Sequence, residues 1–231
     1  MQSIEPEQHF TKSERIADAI LGIADGLTVP FALAAGISGA VDSMHIIITA
    51  GFAEIAAGAI SMGLGGYLSN RTYEEHYDTE RKRELYEIDH LVEREREETR
   101  EIFSEYGLDG EVLEQVVANL EKDKEKWADF MMRFELNLEK PKPKRALSAA
   151  LTIGSAYVIG GIIPLAPYLL LDVVKDALIT SCITTLSALG IFGWLKGRLI
   201  GLNATKSAIQ MMVVGGIAAA VAYGVAWMIA G

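Results

Sequence analysis

The chain has one cysteine among its 231 residues, Cys182. That excludes an internal disulfide and any multi-cysteine metal cluster. Cys182 lies in an apolar run, where a small packing residue is the ordinary reading. Histidine is also scarce, with four residues. Carboxylate-bridged di-iron bundles draw on paired Glu-x-x-His motifs. Here Glu87-Ile88-Asp89-His90 is one weak match where two are needed, which disfavours a membrane-tethered ferroxidase. The net charge is −10, and nucleic acid is not expected as a partner. Charge is itself missing from most of the chain. Residues 70–145 hold 22 acidic and 15 basic side chains, and the rest of the chain holds 9 and 6.

What remains outside that charged block is apolar. Half of all residues are hydrophobic, far from the composition of a disordered chain. Five stretches reach the roughly 20 apolar residues needed to cross a bilayer, at about 16–38, 43–69, 146–170, 174–196 and 206–230. The 22 glycines and six prolines suit membrane helices, where both are commoner than in soluble ones. The first span follows a polar start and is too long for a signal-peptide core, so it reads as retained. Lys12 and Arg15, the charged block, and Lys196, Arg198 and Lys206 fall on alternate turns. By the positive-inside rule this predicts a cytosolic N-terminus and a cytosolic insert.

Two ionisable residues interrupt the apolar spans. Asp25 lies nine residues into the first, and Glu54 eleven into the second from the opposite side. At about 1.5 Å per residue both fall near the bilayer midplane. Such groups are costly in lipid and usually mark an ion or proton pathway. A protonated carboxyl bonded to a neighbouring backbone is the structural alternative. Met62 follows Glu54 by two turns on a neighbouring face. Gly51, Gly58 and Gly65 recur every seven residues, and Ala57, Ser61 and Gly65 every four. Small residues at those spacings let helices approach closely.

The charged block predicts helices. Residues 70–106 contain neither proline nor glycine and are dense in Glu, Arg, Lys and Leu, all good helix formers. Nothing separates them from the second span, so one long helix is expected to leave the membrane. Gly107 and Asp109 bracket the start of a second helix over 110–122, and Asp123 starts a third, Lys124 to Leu138. On a continuous helix Glu84, Glu87, Glu95 and Glu98 share an arc of roughly 80° with the apolar seam. Met131, Met132 and Glu135 offer two thioethers and a carboxylate within one turn. Carboxylates alone suit Mg²⁺ or Ca²⁺, and added thioether sulfur favours a softer divalent ion such as Fe²⁺. A charged coiled segment with methionines in its core fits the same pattern.

Three runs resemble the vacuolar iron transporter family. They are Asp25-Gly26-Leu27-Thr28-Val29-Pro30-Phe31, Glu54 through Gly63, and Asp129 through Glu135 followed by Glu139-Lys140-Pro141. The resemblance covers the chain after its first dozen residues. It implies an all-α membrane protein of five transmembrane helices, with a three-helix cytosolic metal-binding domain between spans two and three. The division would be an N-terminal segment 1–15, spans at 16–69, the domain at 70–145 and spans at 146–231. It implies a homodimer in the lipid bilayer that exchanges cytosolic Fe²⁺ for protons. The location would be a vacuolar membrane, or the cell membrane in a prokaryote. Glu84, Glu87, Glu95, Glu98, Met131, Met132 and Glu135 match the family's insert ligands. Asp25, Glu54 and Met62 match its translocation site. Mn²⁺, Zn²⁺ or Co²⁺ as alternative ions, and an iron buffer without transport, stay open at this point. Pro164 and Pro167 are candidates for a hinge in span three.

Overall fold

A computed structural model describes residues 13–230. Among these residues the regular structure is entirely helical, with eight helices and no strands. Five helices are long and apolar enough to cross a membrane: α1 (Ser13–Ala40), α2 (Met44–His90), α6 (Arg145–Leu170), α7 (Val174–Ile200) and α8 (Ala204–Ala230). Their best 18-residue windows have mean hydropathies of 1.7 to 2.0. In water, the exposed Ile209, Val213, Ile217, Val221 and Trp227 of α8 would form an apolar stripe of the kind soluble monomers avoid. Facing lipid they cost nothing.

Two compact units divide the chain. One holds the residues up to Tyr67 and from Ala146 onward, and the other is Leu68–Arg145. In the first, α1 packs on α7 and α8, and α7 packs on α8. Small residues permit these approaches. A Cβ added at Gly193 would lie 2.8 Å from the backbone of Ser207 and Ala208, and one at Gly197 would lie 2.7 Å from Ala204. Helix α6 meets α1 as closely, with the Cβ position of Gly22 2.4 Å from the Ile153 carbonyl. Of the seven-residue glycine series on α2, Gly51 faces Leu165 and Gly58 faces Tyr157, whereas Gly65 faces open space. Cys182 is partly buried and packs beside Phe31, Ala35 and Ala219. Pro164 and Pro167 both lie inside α6, which runs unbroken past them. The Ser181 hydroxyl donates to the Pro164 carbonyl at 2.7 Å.

The second unit begins with the charged end of α2 and adds α3 (Val92–Glu105), α4 (Gly110–Leu120) and α5 (Lys124–Phe134). The one long helix expected to leave the second span is present, but it ends at His90. The unbroken run expected over 70–106 is interrupted at Leu91, whose φ of −128° and ψ of 35° leave the helical region. The third helix stops at Phe134 rather than Leu138, just before Asn137, which takes a positive φ of 52°. Turn residues behave as their chemistry dictates. Gly107 has φ 82° after α3, where a left-handed residue closes a helix. Asp123 caps α5 by accepting from the Lys126 amide. The core is Ile88, Trp127, Ala128 and Met131, with Leu85, Val92, Ile102 and Phe130 around it.

Candidate functional site

The carboxylates of the insert converge through the break at Leu91. On a straight helix Glu84 and Glu95 would stand about 16 Å apart along the axis. Instead, Glu84, Glu87 and Glu95 each present a ligand oxygen within 4.8 Å of the others. That closeness requires α3 to fold back beside α2. Leu91 still carries the chain through the turn, because its amide bonds the Glu87 carbonyl and its own carbonyl accepts from Arg94 and Glu95.

Burial sets the electrostatics of this cluster. Glu84 and Glu95 are 1% and 0% exposed, and none of their four carboxylate oxygens has a hydrogen-bond partner. Desolvation, followed by repulsion from Glu135 and Glu87, pushes the Glu84 pKa up to about 7. Desolvation, followed by Glu84 and Glu98, pushes Glu95 up to about 8. Glu135 caps the end of α5 and is exposed. Partial desolvation and the charges of Glu98 and Glu87 raise its pKa too. The two carboxylates nearer the rim have cations at hand. Arg94 bonds Glu98 at 2.9 Å, and Arg83 lies 3.6 Å from Glu87. No such cation reaches the oxygens of Glu84 and Glu95.

The thioethers are placed alongside. Met131 and Met132 are 0% and 1% exposed. The Met131 sulfur lies 3.5 Å from the hydroxyl of Thr99, one turn beyond Glu95 on α3. Met131 is also a core residue, which accounts for its burial without a ligand role. His90 stands apart from the cluster. It is exposed, stacks on Tyr86 with ring centroids 4.1 Å apart, and holds Nδ1 2.9 Å from the Tyr86 carbonyl. The weak Glu-x-x-His match therefore brings no imidazole to the carboxylates.

In the membrane-spanning unit, Asp25 and Glu54 are half-buried. Tyr157 of α6 joins them, and sequence reading missed it. Its hydroxyl donates to Glu54 Oε1, while Glu54 Oε2 is buried and unpartnered. Asp25 lies within electrostatic reach of the same phenol. Two glycines admit Tyr157, Gly26 clearing its main chain and Gly58 its ring. A Cβ at Gly26 would meet the Tyr157 carbonyl at 2.3 Å, and one at Gly58 would meet the hydroxyl oxygen at 2.4 Å. Asp25 and Gly26 are neighbours on α1, and Glu54 and Gly58 are one turn apart on α2. The clearance and the carboxylates are thus built into the same turns. Met62 is half-buried two turns beyond Glu54, about 12 Å along the axis. An aromatic in an apolar span looks like packing; only the glycines at Gly26 and Gly58 hinted at a close approach.

The sequence profile of the VIT family matches residues 16–227. "Vacuolar iron transporter 1" of Tulipa gesneriana is 52% identical over 220 residues, covering 95% of this chain and 89% of that protein. "Vacuolar iron transporter 1" of Arabidopsis thaliana is 53% identical over 217 residues, covering 94% and 87%. "Protein CCC1" of Saccharomyces cerevisiae is 40% identical over 225 residues, covering 92% and 67%. The chain belongs to the VIT family. The plant relatives carry the name of a transporter and not of an enzyme, in keeping with a chain that moves an ion and does not transform it.

Proposed function

We propose that this member of the VIT family carries Fe²⁺ across a membrane, out of the cytosol, in exchange for protons. The observation that carries the reading is the pair Glu84 and Glu95, fully buried with four oxygens that have no hydrogen-bond partner among the described residues. A buried, unpaired carboxylate costs several kcal/mol if ionised. It must hold either a proton or a cation. With native pKa values near 7 and 8, both choices are accessible at neutral pH. Cation arrival releases protons, and departure readmits them. Glu87, Glu98 and Glu135 complete an oxygen-rich shell, and Met131 and Met132 add sulfur. That donor set suits a divalent first-row ion better than Mg²⁺.

The same competition serves transport inside the spans. Asp25 and Glu54 offer oxygen near the midplane, Met62 offers sulfur two turns further along α2, and the Tyr157 hydroxyl orients Glu54. A pair of carboxylates that exchanges one divalent ion for protons, while open to one side at a time, is sufficient for antiport. The names of the plant relatives support iron as the cargo and a vacuolar membrane as the location. The Lys and Arg distribution supports a cytosolic insert, and the homodimer rests on the family resemblance.

The test is flux in sealed liposomes with a pH dye inside. Fe²⁺ entry should move protons outward and should accelerate when the lumen is acidified. Fe²⁺ accumulation with no pH change and no dependence on a pH gradient would refute antiport. Faster flux of Mn²⁺ than of Fe²⁺ would reassign the cargo.

A further inference from the structure

Two buried side chains bonded to the proposed donors, Trp127 and Thr99, have no part in the proposed function. The Trp127 indole N–H donates to Thr99 Oγ1 at 2.8 Å. Thr99 Oγ1 stands 2.7 Å from the Glu95 carbonyl and 3.5 Å from Met131 Sδ. Trp127, Thr99, Glu95 and Met131 are each no more than 1% exposed. A hydroxyl has one proton and two acceptor positions. Trp127 occupies one of the latter. The single proton is therefore shared between two acceptors, the main chain of Glu95 and the thioether of Met131.

The two acceptors differ in strength. An amide carbonyl is a good acceptor and a thioether a weak one, so the carbonyl bond anchors the hydroxyl and the sulfur contact orients the thioether. A thioether sulfur has two lone pairs, so one can face the hydroxyl while the other is offered to a metal ion. Meanwhile the bond to the Glu95 carbonyl fixes the turn of α3 that carries the Glu95 carboxylate. One residue thus sets the position of an oxygen donor and a sulfur donor at once.

We propose that Thr99, clamped by Trp127, is the positioning residue that holds the Met131 thioether at the metal cluster and so sets its preference for softer divalent ions. The inference rests on the reading of the cluster as a metal site with Met131 as a donor. Partners that orient metal ligands typically contribute tenfold or more to affinity. The effect here should be selective, because a hard ion gains little from sulfur.

The experiment uses the full chain in detergent, carrying Asp25→Asn and Glu54→Gln to remove the carboxylates inside the spans. Titration calorimetry compares Co²⁺, a redox-stable ion that accepts thioether sulfur, with Mn²⁺, which prefers oxygen. Thr99→Val should weaken Co²⁺ by about tenfold and Mn²⁺ by less than about twofold. Thr99→Ser, which keeps the hydroxyl, should restore both. Should Thr99→Val fail to fold, Trp127→Phe carries the test, with a smaller loss in the same direction. Equal weakening of both ions, or no change in either, would show the trio to be structural and overturn the proposal. Met131→Leu separates the two layers of argument. If it lowers Co²⁺ affinity while Thr99→Val does not, the positioning role falls and the metal site stands. If Met131→Leu leaves Co²⁺ binding intact, the sulfur ligand falls, and the positioning role falls with it.

Discussion

The insert cluster and the span carboxylates solve one problem, a buried acid, in opposite ways. Glu84 and Glu95 have no hydrogen-bond partner and crowd other carboxylates. Glu54 has a dedicated donor in Tyr157 for one oxygen and leaves only the other free. Crowding without partners favours taking up a cation, since every like charge raises the reward for a positive one. A single oriented carboxylate with one free oxygen holds an ion less tightly and can let it go. On the proposed function, the contrast means that capture and passage require different surroundings for the same chemical group.

The strongest way to break that contrast is at the proposed passage site. Glu54→Gln and Asp25→Asn preserve shape and most hydrogen bonding but cannot hold a negative charge. Fe²⁺ flux in liposomes should fall to background in each, while the protein stays folded and the insert still binds metal. Near-normal flux would make the residue a packing group.

Removing the crowd is the next largest change. Glu84→Gln with Glu95→Gln should lower divalent-ion affinity of the insert about a hundredfold and raise the thermal stability of the metal-free protein at pH 8. The second half follows because two uncompensated buried charges are replaced by neutral amides. Calorimetry and thermal unfolding read the two halves separately. A loss of stability would instead mean that the carboxylates are paired.

Tyr157→Phe sharpens the comparison by removing the donor that distinguishes Glu54. The ring against Gly58 is kept, so the fold should persist. Transport should slow by about tenfold, the cost of one charge-assisted hydrogen bond. Unchanged flux would leave Glu54 orienting itself.

The smallest effect is in pH. Glu84 and Glu95 have native pKa values above their unfolded value of 4.5, at about 7 and about 8. The native state therefore binds more protons than the unfolded state between those limits. Stability is fully present below about pH 4.5 and is lost as pH rises through 7 and 8. Metal-free protein should unfold several degrees lower at pH 8.5 than at pH 5.5, and saturating Co²⁺ should reverse the trend. A melting temperature that climbs through this window in the absence of metal would contradict the burial of these acids.

The membrane spans were legible because 20 apolar residues in a row have few other solutions. Asp25 and Glu54 were legible for the same reason, as charges against an apolar background. The break at Leu91 was not. Leu91-Val92-Glu93-Arg94 contains no glycine or proline, and local preference favours helix throughout. Tertiary packing of α3 against Ile88, Trp127 and Met131 overrides it. The 80° arc drawn on a straight helix thus placed four carboxylates together for a reason the fold does not use. Tyr157 was hidden too, since its role depends on a helix about a hundred residues away.

The glycines around Tyr157 bear on how sequence variation at these turns is interpreted. Asp25 and Gly26 are adjacent, and a change at either is expected to stop transport for unrelated reasons. One supplies a charge, and the other supplies an empty volume 2.3 Å from a main-chain oxygen. Gly26→Ala would silence the protein as surely as Asp25→Asn, by wedging α1 away from α6 rather than by removing a ligand. A survey that ranks positions by loss of transport alone would merge the two. Only measuring whether the altered chain still assembles separates a missing ligand from a misfit helix.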